Sequence, residues 1–268
     1  MTLTDILLLL GQNLALIVIV MLALWLVSLR LKDVSFVDGV WPLGMLMLAL
    51  ATLPRTAGDP TRKTVLVMIC AVWALRLGLH LLKRWRAHGA DGRYTAIVED
   101  QEKKKGWPFG KTALLFVFLP QAFLGWLTCL PVQLGQVAQA PSVGLIGLLG
   151  AALAVFGVVF ESTGDAQLAA FKRDPANKGK VLDTGLWRYT RHPNYFGDAC
   201  VWWGLWLIAA ETGPGLWSIA GPIFLTFTLT RWSGIGITEK ATHQSRPGYA
   251  DYVKRTSAFF PAPPRKRG

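Results

Sequence analysis

Residues 191–198 combine several side chains that could hold a charged ligand. They read Arg-His-Pro-Asn-Tyr-Phe-Gly-Asp and are called the octapeptide below. Arg191 offers a fixed fork of donors that suits phosphate, and the asparagine, tyrosine and aspartate add amide, phenol and carboxylate groups within about two helical turns. Pro193 favours a helix that begins here with its backbone donors facing such a ligand. The segment predicts a site for a polyanion; a basic, aromatic membrane-interface belt is the alternative.

A second group of candidates lies near residue 40, where an apolar segment begins with an acid. Asp38 stands in Val-Asp-Gly-Val-Trp-Pro, and Trp41 in the same run could form the wall of a pocket for a flat ligand. An ionisable side chain at the edge of an apolar segment is costly and calls for a functional explanation. The alternative for Asp38 is that it caps the helix.

The octapeptide and the Gly-Leu-Trp-Arg-Tyr run at 185–189 resemble the cofactor signature of the steroid 5-alpha-reductase and sterol reductase superfamily, including its bacterial DUF1295-type membrane proteins. The resemblance extends from about Asp38 to the end and is strongest in the carboxyl-terminal part. A shorter form of the octapeptide, Arg-His-Pro-x-Tyr-x-Gly, resembles a motif of isoprenylcysteine carboxyl methyltransferases. The resemblance therefore implies NADPH as the cofactor, with S-adenosylmethionine as the cofactor of the alternative class.

The resemblance also implies catalytic residues. Gly-Arg-Tyr-Thr-Ala-Ile at 92–97 is similar to the motif whose tyrosine hydrogen-bonds the substrate ketone in steroid 5-alpha-reductases, which puts Tyr94 forward as donor. That family pairs this tyrosine with a glutamate in a Gln-Glu-x-Pro motif. This sequence lacks that motif, and Asp38 is the nearest acid in the corresponding region. The implied catalytic pair is Tyr94 and Asp38, which would contact substrate together with Trp41; the alternative for Tyr94 is an interface aromatic.

Polar residues of the carboxyl-terminal half are the implied cofactor ligands. Asp165 best matches the family's acidic residue at the nicotinamide or its ribose, and the excess of Arg and Lys suits a 2′-phosphate. The tail after residue 230 matches in type the segment that folds over the cofactor, with a surface amphipathic helix as the alternative. The predicted cofactor-binding set is Asp165, Arg173, Arg191, His192, Asn194, Tyr195, Asp198, Arg231, Glu239, His243, Arg246, Tyr249 and Tyr252.

The composition determines which kind of fold can position these groups. The 268 residues are 52% hydrophobic and only 16% charged, with 12 tryptophans, which indicates an integral membrane protein. At about 20 residues per span, seven apolar segments are long enough to cross or nearly cross a bilayer. They are 6–29, 36–54, 64–82, 112–131, 142–160, 198–212 and 214–231. The predicted fold is therefore all-α and polytopic, with about seven transmembrane helices.

The net charge of +12 is concentrated in loops between these segments, a pattern that orients spans in a bilayer and does not indicate nucleic acid as a partner. Basic residues crowd 83–105, 172–191 and the tail, whereas the loop 132–141 has no charge. This distribution predicts an amino terminus outside and a carboxyl terminus in the cytoplasm, in a bacterial inner membrane. The loop 55–63, which contains Arg55, Arg62 and Lys63, fits this topology less well.

The remaining patterns favour one membrane domain over residues 1–268, with 1–110 on the substrate side and 111–268 binding the cofactor. The sequence contains neither a Gly-x-Gly-x-x-Gly motif after a strand nor a P-loop, and its three cysteines have no metal-ligand spacing. We therefore expect no metal, and a nucleotide would have to bind the membrane scaffold. Glycine and alanine recur within 144–157, which predicts that neighbouring helices approach closely there.

These features together predict an NADPH-dependent oxidoreductase that reduces an activated carbon–carbon double bond in a flat lipophilic substrate, a 3-oxo-4-ene steroid. Preplaced donors would meet the negative charge that develops on the substrate carbonyl. The alternatives are a membrane methyltransferase that uses S-adenosylmethionine and a non-enzymatic sterol-binding or scaffold protein. The expected partners are the steroid or sterol-like substrate and membrane lipids.

Overall fold

The computed structural model describes residues 1–232, 234–236, 239 and 246–265. Within these residues the regular structure is helical, with an isolated β-bridge between Thr190 and Ser257, so the predicted all-α class is confirmed. The helices are α1 (Leu3–Leu31), α2 (Val37–Thr52), α3 (Pro60–His88), α4 (Gly92–Lys105), α5 (Phe109–Thr128, with a π-helical stretch at Leu114–Phe118), α6 (Leu130–Leu134), α7 (Leu145–Arg173), α8 (Pro193–Ala210), α9 (Gly213–Leu216), α10 (Ala220–Phe227) and α11 (Tyr249–Arg255).

Within the described residues, five helical segments are long and apolar enough to cross a membrane, so the chain is a multi-pass membrane protein. They are Leu3–Leu31, Val37–Arg55, Pro60–His88, Phe109–Thr128 and Leu145–Arg173. The sixth predicted segment falls in α8, whose first turns carry Asn194 and Asp198. The seventh is divided among α9, a 3₁₀ turn, α10 and a π-helical stretch. Neither segment is among the five that can cross a membrane in the described part of the chain.

The chain divides into two compact units, of which the first comprises Met1–Leu148 and Leu205–Gly221. At one end of this unit, Trp85 Nε1 donates to Asp33 Oδ2 at 2.7 Å and Trp25 Nε1 donates to the Gly110 carbonyl at 2.9 Å. These contacts join the end of α1 to the start of α5, and the loop before α2 to the end of α3. The helices α1, α2, α3 and α5 therefore alternate in direction.

A buried polar network closes the other end of the first unit. Asn13 Nδ2 donates to Thr52 Oγ1 at 2.9 Å and to Gln133 Oε1 at 2.8 Å, and Arg55 donates to the Asn13 side-chain oxygen. An unpaired amide in apolar surroundings is costly, so these mutual hydrogen bonds favour one arrangement of α1, α2 and α6.

The three cations of the loop 55–63 all bond to backbone carbonyls. Arg55 Nε donates to the carbonyl of Ala51 at 2.6 Å, and the buried Arg62 donates to Ala138 at 3.0 Å. Lys63 Nζ donates at 2.8 and 2.5 Å to carbonyls at the end of α2 and just beyond it. These cations satisfy backbone carbonyls at helix ends and in the loops beside them. This gives a physical reason why the loop departs from the charge pattern of the others.

In the second unit, Leu149–Gly204 and Pro222–Gly268, α7 and α8 touch backbone to backbone. A Cβ added at Gly157 would lie 2.6 Å from the Gly197 carbonyl, and one at Gly204 would lie 2.4 Å from the Gly150 carbonyl. No side chain fits at such separations. The close helix approach predicted from the small residues in 144–157 is therefore confirmed.

We expect Gly197→Leu to disrupt the second unit, because an added Cβ would already lie 2.6 Å from the Glu161 backbone nitrogen. Overpacking of this kind costs about 1–3 kcal/mol or more. Thermal unfolding of the purified protein in detergent measures the loss. Gly11→Leu is the matched control, since a Cβ at Gly11 meets nothing within 4 Å. Equal unfolding temperatures for the two variants would contradict the backbone contact.

Candidate functional site

The first candidate site surrounds Asp38 in the first turn of α2. Phe36 is the N-cap of this helix, and no side chain caps it. Asp38 Oδ1 accepts a hydrogen bond from the Tyr94 hydroxyl at 2.5 Å, and Oδ2 accepts from Arg93 Nη2 at 2.8 Å. The capping interpretation of Asp38 is therefore wrong, because both carboxylate oxygens bond to side chains of α4.

Asp38, Asp91, Arg93, Tyr94 and Gln121 form what we call the carboxylate–tyrosine cluster. Asp91 caps α4 and accepts from the backbone nitrogen and the Nε of Arg93, each at 3.0 Å. The guanidinium of Arg93 also bonds the second oxygen of Asp91 at 2.8 Å, so it bridges two carboxylates. The positive charge of Arg93 thereby offsets negative charge beside Tyr94.

Tyr94 lies between an acceptor and a donor. Its hydroxyl donates to Asp38, and Gln121 Nε2 on α5 donates to the same hydroxyl at 3.3 Å. Burial raises the pKa of Tyr94 well above its usual value, and the neighbouring charge of Asp38 adds to this effect. The phenol therefore stays protonated at neutral pH, and it can act as a hydrogen-bond donor.

Trp41 joins this site through α5. Its Nε1 donates to the backbone carbonyl of Gln121 at 3.1 Å, and the ring packs beside Gly125, where a Cβ would lie 3.0 Å from Nε1. Trp41 also follows Asp38 by three residues on α2, so both lie on one helix face. The structure thus brings together the three residues predicted to contact substrate: Asp38, Trp41 and Tyr94.

Asp91, Arg93 and Gln121 are members of this site that the sequence reasoning did not single out. Gln121 could have been identified from the sequence, since it is a lone amide within an apolar segment. Asp91 and Arg93 could also have been identified, because an acid just before a glycine and an arginine is typical of a helix start with a local ion pair.

The second candidate site surrounds the octapeptide, where Arg191 is 8% exposed. Its Nε and Nη2 donate to the two carboxylate oxygens of Glu239 at 2.7 and 3.2 Å, and Nη1 donates to the carbonyl of Thr256 at 2.5 Å. The fork therefore binds groups of the protein itself. This geometry gives Arg191 a different task from the phosphate contact predicted for it.

Glu239 connects the octapeptide to the tail. Its Oε1 also contacts His192 Nε2 at 3.1 Å, and the His192 ring is stacked on Tyr195 with centroids 5.2 Å apart. Burial acts to raise the pKa of Glu239, but the hydrogen bonds from His192 and Arg191 lower it to about 2. The carboxylate is therefore ionised at neutral pH.

Residues 252–262, which we call the tail strap, lie along residues 187–191. Arg191 N donates to the Ser257 carbonyl at 2.9 Å, and Thr190 Oγ1 donates to the Phe259 carbonyl at 2.8 Å. Tyr252 is 2% exposed, and its hydroxyl donates to the Trp187 carbonyl at 2.5 Å. The tail strap thus fixes the backbone immediately before α8.

The remaining predicted cofactor ligands differ in exposure. Asp165 on α7 and Asp198 on α8 are buried, as is Tyr249, which lies beside Glu239 and Arg191. The side-chain oxygen of Asn194 is buried and accepts no hydrogen bond from any residue that the structure describes. Arg173 and Arg231 are exposed, and His243 lies outside the described residues.

Arg246 lines a cavity of about 280 Å³ and donates to the Lys180 carbonyl at 3.1 Å. The cavity is bounded by the end of α7 and the following turn, with Lys172 and Lys178 as further cations and Asp174 as an acid. Three basic side chains against one acidic side chain give this cavity an excess of positive charge. Such a surface suits an anionic ligand.

Within the described residues, regular structure that is helical and five helices that can cross a bilayer define an all-helical, multi-pass membrane protein. The chain belongs to the DUF1295 family, described as proteins of unknown function, whose model matches residues 24–256. It is similar to an uncharacterized protein of Schizosaccharomyces pombe, with 23% identity over an alignment of 270 positions that spans 89% of this chain and 75% of the relative. No solved structure matches the chain significantly.

Proposed function

We propose that this protein uses NADPH to reduce an activated carbon–carbon double bond in a lipophilic substrate, a 3-oxo-4-ene steroid. The observation that carries the proposal is the Tyr94 hydroxyl held between the Asp38 carboxylate and the Gln121 amide. A phenol in this setting is a preplaced donor for a substrate carbonyl. The resemblance to steroid 5-alpha-reductases around the octapeptide and Tyr94 supports the same chemistry.

The carboxylate–tyrosine cluster would act on the carbonyl of the enone. Tyr94 donates a hydrogen bond to the carbonyl oxygen, and Gln121 has a second amide N–H that can be directed to the same oxygen. Because Arg93 pairs with Asp38, the oxygen that becomes negative does not meet an uncompensated carboxylate. Trp41 would contact the flat face of the substrate.

NADPH, when bound, supplies the hydride that adds to the β carbon of the enone. The electron pair of the double bond moves toward the carbonyl oxygen, where Tyr94 stabilises the developing charge. A proton from water then adds at the α carbon and completes the saturated ketone. Asp38 keeps Tyr94 oriented by accepting its hydrogen bond before the substrate arrives.

The second unit would hold the cofactor. The unsatisfied acceptor of Asn194 suits a donor such as a carboxamide or a ribose hydroxyl, and Asp165 and Asp198 are buried carboxylates of the same unit. The cations Lys172, Lys178 and Arg246 around the cavity suit the phosphates. Arg191 and Glu239 would support this site by holding the tail strap in place.

We further propose that α8 and residues 214–231 complete seven spans, with the amino terminus outside and the carboxyl terminus in the cytoplasm of a bacterial inner membrane. The support is the distribution of charge. The loop 132–141 is uncharged, and the cations of 55–63 are engaged with backbone carbonyls. The exposed cations of α4 and of the end of α7 then lie on the cytoplasmic side.

The test of the function is turnover by the purified protein in detergent. We expect NADPH oxidation with 3-oxo-4-ene steroids and none with the matching saturated ketones, which carry the same carbonyl without the double bond. Thermal shifts with NADPH, NADH and S-adenosylmethionine identify the cofactor independently of the substrate. Stabilisation by S-adenosylmethionine alone, together with no enone turnover, would favour the methyltransferase class.

A further inference from the structure

Three lysines and two aromatic residues meet where α4 ends and α5 begins. We call Lys32, Lys105, Trp107, Phe109 and Lys111 the lysine–aromatic corner. The Nζ atoms of Lys105 and Lys111 lie 4.7 and 3.9 Å from the centroid of the Trp107 ring, and Lys32 Nζ lies 5.7 Å from that of Phe109. Two ammonium groups thus converge on one indole.

No acid in the described part of the chain neutralises the charges of this corner. Their neighbours Lys103 and Lys104 form ion pairs with Glu99 and Asp100, at 3.7 and 2.9 Å. In contrast, no carboxylate within the described part of the chain lies within 4 Å of the three lysines of the corner. An aromatic face attracts an ammonium group but leaves N–H donors available, so the corner can still bind an anion.

The corner also lies at the end of a membrane span. Phe109 is the first residue of Phe109–Thr128, which can cross the bilayer. Pro108 is the N-cap of this helix and makes no side-chain hydrogen bond to it. Trp25 Nε1 donates to the Gly110 carbonyl, which fixes the corner against the end of α1. Aromatic and basic side chains in this position lie at the level of the lipid headgroups.

We propose that the lysine–aromatic corner binds the phosphate of an anionic phospholipid headgroup. The charge of the three lysines complements that phosphate, and the two rings contact the apolar part of the lipid next to it. The site is independent of the proposed reduction, since no residue of the carboxylate–tyrosine cluster takes part in it.

The experiment compares wild type with two charge-matched double variants, Lys105→Gln/Lys111→Gln and Lys103→Gln/Lys104→Gln. Each is titrated with phosphatidylglycerol and with phosphatidylcholine in mixed micelles, and the shift in unfolding temperature is measured. We expect phosphatidylglycerol to stabilise wild type and the 103/104 variant. The 105/111 variant should require on the order of tenfold more of this lipid.

Each variant serves as its own reference, because its unfolding temperature in phosphatidylcholine is measured first. An equal loss in both double variants would overturn the site and indicate general surface charge. Equal stabilisation by the two lipids would also overturn it. Inorganic phosphate is the third arm: a shift as large as that from phosphatidylglycerol would indicate a free-anion site and overturn the lipid assignment.

Discussion

Tyr94→Phe is expected to lower enone turnover by about 10²–10³-fold and to leave NADPH affinity close to that of wild type. The substitution keeps the ring and removes the hydroxyl that bonds Asp38 and Gln121. A donor that acts on the charge developing at the carbonyl contributes to the rate and not to the binding of a separate ligand. Steady-state kinetics and a cofactor titration measure the two effects separately.

Tyr189→Phe is the matched control, because Tyr189 is 43% exposed and takes no part in the carboxylate–tyrosine cluster. Arg93→Gln tests the electrostatic part of the mechanism. It leaves the Tyr94 hydroxyl in place but removes the cation that lies 2.8 Å from Asp38, with Arg84 remaining at 3.9 Å, so turnover should fall while the tyrosine is intact. Wild-type turnover in Tyr94→Phe would exclude this tyrosine as the donor.

Arg191→Ala is expected to destabilise the protein by about 3–5 kcal/mol, even without cofactor, because it leaves a partly buried Glu239 without its ion-pair partner. It also removes the hydrogen bonds that the guanidinium donates to Val253 and Thr256. The unfolding temperature of the cofactor-free protein measures this loss. Arg173→Ala, which removes an exposed arginine, is the control for stability.

The pH dependence of stability tests the same ion pair. The pKa of Glu239 is lowered from 4.5 to about 2 on folding, so its stabilising effect is complete above about 4.5 and decreases as pH falls toward about 2. Wild type should therefore lose stability between about pH 5 and 3 more steeply than Glu239→Gln. Two results together would indicate that Arg191 only binds a ligand: parallel curves of stability against pH for wild type and Glu239→Gln, and an unchanged unfolding temperature of cofactor-free Arg191→Ala.

Hydrophobicity and residue size predicted much of the fold. The first five apolar segments correspond to the five helices that can cross a membrane, and the small residues of 144–157 lie where α7 and α8 touch. Both signals depend on one property of each residue, its size or its apolarity. They need no knowledge of distant partners, which is why the sequence alone was sufficient.

The sequence predicted which residues form the candidate sites better than it predicted which partner each side chain bonds. Asp38 and Tyr94 were identified and do bond each other, and Trp41 bonds the backbone of Gln121 beside them, yet Arg93, which pairs with Asp38, was not identified. For Arg191 the reverse holds: the residue was identified, but its fork points at Glu239. A sequence shows which donors exist; which acceptor each one finds depends on contacts across dozens of residues.

The tail strap has a consequence for the order in which the protein is made. The octapeptide contacts residues that follow it by 47 to 66 positions, Glu239 and Ser257 among them, and Thr190 reaches 69 positions ahead to Phe259. During synthesis α7 and α8 can therefore pair while Arg191 still has no acceptor. Closing so long a loop costs entropy before any hydrogen bond is regained. The second unit must then complete its folding after residue 259 has left the ribosome, as a late and slow step.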